Sequence, residues 1–395
     1  MRFLYFSFVE LDIPNACQAH TLGVLRGLSH NGCQVDALLP RPIYIRPEIP
    51  NVRFIYLWPW RFTPSGRKWI KLLSFISMFF LCTKNKYDAI YVRELERNPG
   101  PRWCSKIFHI PLYMEINDLI VPVLLDNESS SIEIRNARSS QKSDFKQAAG
   151  LVVPSVPMRD WIIDQYDLPH SKVHMIVNGT DHLRANRHDK IHARKKIGLP
   201  PDCFCLGFMG TIYDRYDFDS MLNATILCQS DISQLYFAVI GDGPFLDELK
   251  KKVTELDLVK QTIFTGYVQP DKLGEILPAV DIGLSILNSR YSLRYGPVTT
   301  KLSTYAAYHL SVVTTGLSLE GYPDQLTHGL HLVAPEDPQA LADTILWLYN
   351  HTEERQHRAQ ILHDFVINNL TWESVTEKIL DIIRDERKSR KKGYV

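Results

Sequence analysis

Tyr236 to Leu258 reads YFAVIGDGPFLDELKKKVTELDL. A strand-length apolar run stops at Gly241-Asp242-Gly243-Pro244, and apolar residues then recur at helical spacing. Together these make a buried strand, a glycine turn and an amphipathic helix. Glycine permits a tight turn and close backbone approach, and proline suits a first helical turn. The spacing falls short of a full dinucleotide-binding fingerprint. The turn therefore reads either as a ligand-holding loop or as a plain connection.

The same unit recurs in both directions. Upstream lie RFLYFSF, QVDALLP, VRFIYL, AIYVR, PLYMEIN, GLVVPS and KVHMIVNG, most of them separated by stretches of amphipathic helix length. The pattern then restarts with CFCLGFMG, LYFAVIGDG, TIFTG, IGLSIL, SVVTTG and HLVAP. These runs are apolar without strict alternation, as parallel strands covered on both faces are. Alternating strands and helices predict a doubly wound α/β fold. A chain of 395 residues is long enough for two such domains. The polar stretch from Gly179 to Asp202, with its Pro-Pro step, suits the boundary. The expected division is 1–182, 200–370 and a closing segment 371–395. In open α/β sheets ligands bind beyond the carboxyl ends of the strands, so two domains imply a cleft with functional residues just after strands.

The net charge of +1 gives no basic excess of the kind nucleic-acid binders show. The seven cysteines are odd in number and form no spacing framework, which suggests buried free thiols in a reducing cytoplasm. MRFLYFSFVE reads as a first strand and not as a secretion signal. The most apolar stretch, Leu72–Cys82, is shorter than the roughly 20 residues a spanning helix needs. Arg61, Arg67, Lys68 and Lys71 precede it, so it reads either as a buried helix or as one resting on the inner face of a membrane.

Two more post-strand segments carry candidate residues. In LGFMGTIYDRYDFDSMLNA a strand ends at Gly210-Thr211, and a helix opens near Asp217. Its free amides could hold a phosphate with Arg215 as counter-charge, or Asp217 could simply cap it. Asp217-Phe218-Asp219 spells the Asp-x-Asp of metal-dependent sugar transferases, yet it sits at a helix start rather than in a loop, so no metal site is expected. From Ser289 to Gly316 a strand runs into a loop with Arg290, Arg294 and Gly296-Pro297. A helix with Lys301, Thr304 and Tyr305 follows. Its cations could face a diphosphate, or lie solvated at the surface.

Taken together, the segments resemble glycosyltransferase family 4, of GT-B fold: two Rossmann-like doubly wound domains facing across a cleft. NACQAHTLGVLRGLSHNGCQVDALLP, YVRELERNPG, PLYMEINDL and LVVPSVPMRDWIIDQYDLPHSKVHMIVNGTD resemble its first half. GFMGTIYDRYDFDSMLNA, VIGDGPFLDEL, IFTGYVQPDKLGEILPAVDIGLSIL and HGLHLVAPEDPQALADTI follow in order, and LTWESVTEKILDII resembles the closing segment, whose helix returns to the first domain. The resemblance implies retaining transfer of a sugar from a nucleoside diphosphate sugar, UDP- or GDP-linked, without a metal or permanent cofactor. A glycan (as in polysaccharide biosynthesis), a lipid-linked sugar or a small molecule would accept it. Carried over, Gly210 and Thr211 would lie near the diphosphate, Lys301 matches a family lysine, and Gly266, Tyr267 and Val268 would be near the base. The family's phosphate arginine after Gly210 is absent unless Arg215 substitutes, while Gly241, Gly243 and Arg294 are donor-site candidates from their place after strands. Asn117 and Asp118 would line the acceptor side near the reacting sugar. His20 matches a histidine after the first loop.

The chain departs from the family where two glutamates normally stand eight positions apart. Thr304 falls at the later one, which usually binds the ribose, and Gly296 at the earlier, which helps place the sugar. Losing a charged hydrogen bond costs about 1.5–3 kcal/mol. Three readings follow: a transferase with an altered donor site, a catalytically silent binding or partner subunit of the same fold, and an enzyme of different chemistry such as an epimerase or phosphorylase.

Overall fold

The computed structural model describes residues 1–13, 15–58, 64–93, 98–180 and 189–392; side chains are described throughout these except at 64–68, 270 and 389–392. The chain divides into two compact units, one of Met1–Gly179 with the stretch from Trp372 onward, the other of Thr180–Thr371. Each is an all-parallel sheet with intervening helices, the α/β two-domain arrangement expected of the sequence.

In the first unit β1 (Arg2–Phe6), β2 (Gln34–Pro40), β3 (Val52–Leu57), β4 (Ala89–Arg93), β5 (Leu112–Glu115), β6 (Gly150–Val153) and β7 (Val173–Met175) form a seven-stranded sheet. Its order is β3-β2-β1-β4-β5-β6-β7, so the direction of winding reverses between β1 and β4. The closing helix Trp372–Lys392 packs on the helix Ala16–His30. Two glycines one turn apart allow the approach. A Cβ on Gly23 would lie 2.1 Å from the Trp372 ring, and one on Gly27 would lie 2.3 Å from the Trp372 carbonyl.

In the second unit β8 (Phe204–Met209), β9 (Leu235–Ile240), β10 (Thr262–Gly266), β11 (Ile282–Ser285), β12 (Ser311–Thr315) and β13 (Leu330–Val333) form a six-stranded sheet, order β10-β9-β8-β11-β12-β13. Here winding reverses between β8 and β11. A core fills one face of this sheet: Phe208, Phe237 and Leu284, from alternate strand positions, meet Phe218, Met221 and Leu249 from helices.

Four expectations are corrected. The boundary stretch is not simply a polar connection: Lys190–Lys196 is a helix, Asp189 caps it, and Arg194 is buried against Asp281 at 2.7 Å. Part of that stretch, 181–188, lies outside the described residues, as do 94–97 of the YVRELERNPG segment and Arg61. Arg290 and Arg294 lie on a helix, Ser289–Tyr295, and not in a loop; Asn288 caps it through the Tyr291 amide. Pro244 precedes its helix, which begins at Leu246. Six cysteines are buried and free, but Cys17 is exposed.

Candidate active site

At the carboxyl ends of β8 and β11 the second sheet builds a pocket of backbone around one lysine. Gly210 follows β8 with φ 128°, a conformation that favours glycine. Gly241, after β9, has φ 144°, and a Cβ there would lie 2.0 Å from the Gly210 carbonyl oxygen. A Cβ on Gly243 would lie 2.3 Å from the Ile212 carbonyl oxygen. The turns after β8 and β9 therefore pack backbone to backbone, and these glycines serve that packing. The Gly210 amide donates to Ile240 and the Ile212 amide to Asp242. The Thr211 amide between them meets no acceptor among the described residues.

The helix Thr300–Ala307 brings Lys301 to this turn. Its Nζ would be 2.6 Å from a Cβ on Gly210. Tyr305 fixes the helix: its hydroxyl accepts from the Met209 amide at 2.8 Å and faces the Gly207 and Leu284 carbonyls at 3.2 Å. The ring lies over Gly283, where a Cβ would come within 2.6 Å of it. Lys301 is buried, donates to the Tyr216 hydroxyl at 2.7 Å, and stands over the rings of Tyr216 (4.2 Å) and Phe208 (4.9 Å). It pairs with no carboxylate among the described residues. A buried ammonium without a counter-ion is costly, and one beside an open backbone amide is ready for an anion.

The other sequence candidates fall around this centre. Arg215 lies over Tyr213 at 4.6 Å and over Tyr291 at 5.5 Å, and Arg294 over Tyr291 at 5.6 Å and Tyr295 at 6.0 Å. These side chains form an arginine–tyrosine ladder. Gly296 ends the helix Ser289–Tyr295 with φ 73°. Thr304 is buried and donates to the Thr300 carbonyl at 3.4 Å, within its own helix. Gly266 is bridged to Gly241 and faces open space, Tyr267 is exposed and Val268 half-buried. Asp217 caps the helix Phe218–Cys228 through the Ser220 amide, and Asp219 pairs with Lys252 at 2.6 Å. Both carboxylates of the Asp-x-Asp triplet are thus engaged in the fold.

A second cluster sits in the first unit, at the ends of β1, β4 and β5. Glu115 is buried at the end of β5. It accepts from the Tyr91 hydroxyl at 2.9 Å, contacts His20 Nε2 and Asn117 Nδ2, and has Arg93 Nε at 3.7 Å. Burial alone would raise its pKa. The charge and hydrogen bond of His20, the Arg93 charge and the Asn117 amide outweigh that and hold it at about 2. Burial beside this carboxylate drives the Tyr5 and Tyr91 hydroxyls well above their ordinary range. Asp118 accepts from the Leu119 amide at 2.8 Å. A small, largely apolar cavity here is lined by Val24, Val152, Ile176, Ile379 and Trp372 among others, with His20, Glu115, Asn117 and Asn178 as its polar side chains. Sequence reasoning singled out Asn117 and Asp118 and passed over Glu115, Arg93 and Tyr216. The signal for Glu115 was a lone acid inside the apolar run PLYMEIN.

Residues 189–365 match the family model described as glycosyl transferases group 1, and residues 15–179 match that of a glycosyl transferase 4-like domain. The chain belongs to the glycosyltransferases, with the group 1 model on its second unit and the 4-like model on its first. It is 20% identical over 379 residues to an uncharacterized glycosyltransferase of Methanocaldococcus jannaschii, covering 92% of this chain and 93% of that one. In structure it is similar to Anabaena HepE solved with UDP and glucose, with TM-score 0.73, 16% identity, and coverage of 98% of this chain and 100% of that chain. It is also similar to sucrose-phosphate synthase of Thermosynechococcus elongatus, with TM-score 0.74, 14% identity, and coverage of 98% and 99%. At such identities the structures speak for a shared GT-B fold. The group 1 match adds a sugar-transferring family.

Proposed function

We propose that this protein is a retaining transferase that takes a hexose from a nucleoside diphosphate sugar, UDP- or GDP-linked, without a metal. The observation that carries the reading is Lys301, a buried cation without a counter-ion, set against Gly210 and the open Thr211 amide at the switch point of the second sheet. A departing diphosphate gains negative charge as the glycosidic bond breaks. A fixed ammonium and amide stabilise that charge at no reorganisation cost. The UDP and glucose bound by HepE support UDP as the first nucleotide to try. Gly266, Tyr267 and Val268 offer an open surface for the base. On the first unit, Glu115 orients Asn117 and pairs with Arg93 at the carboxyl ends of β4 and β5, the end of the sheet that would face the acceptor. The acceptor is a glycan, a lipid-linked sugar or a small metabolite.

One observation favours a second reading, a silent binding subunit. Neither Gly296 nor Thr304 offers the carboxylate that binds a sugar in the family the sequence resembles, and the Thr304 hydroxyl is turned to its own helix. Thermal unfolding with UDP, GDP, ADP and TDP separates the two. A nucleotide at a hundred times its Kd stabilises the fold by about 2.7 kcal/mol. A shift with one nucleotide supports the donor site and names the base. No shift at millimolar ligand transfers the reading to the silent subunit.

A further inference from the structure

The helices Pro64–Lys84 and Gly100–Phe108 of the first unit present an apolar face to solvent. Trp69, Leu72, Ile76 and Phe80 recur at one helical face, with Trp69 60% and Phe80 59% exposed. Trp103 and Ile107, one turn apart on the shorter helix, are exposed as well. The two helices are locked together, Phe75 edge-on to Trp103 at 5.5 Å and Phe79 to Phe108 at 5.2 Å. The opposite face is committed to the core: Ile70, Ser74, Met78 and Cys82 are buried, and Asn98 donates to the Ser74 hydroxyl at 3.0 Å. Helix Pro64–Lys84 thus has a full buried face and still carries a second apolar stripe. Single exposed apolar residues need no explanation, but a contiguous set does.

Charge decides what covers it. Neither helix contains an aspartate or glutamate, while their sequences hold Arg67, Lys68, Lys71, Lys84, Arg102 and Lys106. Lys84 and Lys106 are exposed and lack an ion-pair partner among the described residues. The helix Ser131–Gln147 of the same unit, by contrast, mixes Glu133 and Asp144 with its cations. Arg102 is paired with Asp144 at 3.2 Å, but a face of aromatic and aliphatic side chains whose own helices carry cations and no acid is complementary to an anionic lipid surface. Pairing with a second copy about a twofold axis would set lysine against lysine. Among the described residues no helix is long and apolar enough to cross a membrane, so the face would lie along the surface.

We propose that this two-helix face docks the protein on an anionic bilayer, Trp69, Phe80 and Trp103 entering the headgroup boundary while Lys84 and Lys106 meet the lipid charge. The inference rests on the first unit alone and does not depend on the donor reading. The test is flotation of the full chain with vesicles of phosphatidylcholine alone or with phosphatidylglycerol. Binding is expected only to the anionic vesicles, and to weaken in high salt. Trp69→Ser with Phe80→Ser, and separately Lys84→Glu with Lys106→Glu, should each weaken it about tenfold or more. All four side chains are exposed, so both variants should keep the parent's melting curve and its nucleotide-induced shift. Absence of binding to anionic vesicles, or variants that bind as the parent does, overturns the proposal. So does a dimer in solution that the aromatic variant dissociates while vesicles are ignored.

Discussion

Lys301 and Glu115 are the two charges on which the site readings turn, and each has a distinct experimental signature. Lys301→Ala removes the only ammonium in contact with the Gly210 turn among the described residues. A charge-assisted hydrogen bond is worth about 1.5–3 kcal/mol, so nucleotide affinity should fall roughly 10- to 150-fold. Isothermal titration measures it; an unchanged Kd places the diphosphate elsewhere. Glu115 is read through pH. Its folded pKa of about 2 lies below the ordinary 4.5, so the stability it contributes is fully present above pH 4.5. It is lost as pH falls from about 4.5 to 2, and the shift corresponds to on the order of 3 kcal/mol. Glu115→Gln should lower stability at pH 7 and flatten the acid limb over that window, as urea titrations at several pH values would show. A variant with the parent's acid slope would mean the carboxylate is not held by His20 and Arg93.

The elements separate what could be read from the sequence and what could not. Strands of a parallel sheet are buried on both faces, so runs such as AIYVR and GLVV, buried along their whole length, announced themselves. The helix Ser289–Tyr295 did not, because SRYSLRY has no apolar period and its main local signal is the Asn288 cap. Lys190–Lys196 was hidden for a related reason. Much of its anchoring is the pairing of Arg194 and Lys190 with Asp281, some ninety positions away, and no local pattern reports such a partner. The position of Lys301 beside Gly210 was readable only through family resemblance. Glu115 was passed over because its buried partners Tyr91, Arg93 and His20 come from two other segments, β4 and the helix Ala16–His30. The glycine turns could be seen but not their purpose. Gly241→Ala would force a non-glycine residue to φ 144° and a Cβ to within 2.0 Å of the Gly210 oxygen. Strain of this kind costs about 1–3 kcal/mol before the overlap is counted. Gly241→Ala should therefore destabilise the second unit by at least that much, and Gly266→Ala, in the left-handed region at φ 70° but with open space around it, by less. Equal melting temperatures for the two variants would contradict the backbone packing described here.

At the scale of the molecule, the chain leaves its first unit at Gly179 and re-enters it at Trp372. The first unit is therefore built from two distant pieces of sequence, the second from one. The returning helix buries Trp372, Val375, Ile379, Leu380 and Ile383, all under 5% exposed. Full burial of a large apolar side chain contributes about 1.5–3 kcal/mol, an upper estimate given a compact denatured state. Five such residues approach 10 kcal/mol, which is about the whole stability of an ordinary domain. Asn31 adds a side-chain anchor, donating to Glu373 and Thr376 at 2.9 Å. A chain ending at Thr371 should consequently lose the cooperative transition of its first unit. The second unit, complete within Thr180–Thr371, should keep its own, together with the nucleotide-induced shift if the donor site is where Lys301 lies. Adding the segment 372–392 as a separate peptide should restore the lost transition, and Trp372→Ala in that peptide should not. Calorimetry distinguishes these outcomes directly: two transitions in the parent, one in the shortened chain, and two again with the peptide. A shortened chain that still melted in two steps would show that the first sheet is stable without the returning helix, and the close packing of Gly23 and Gly27 on Trp372 would then have to serve something other than stability.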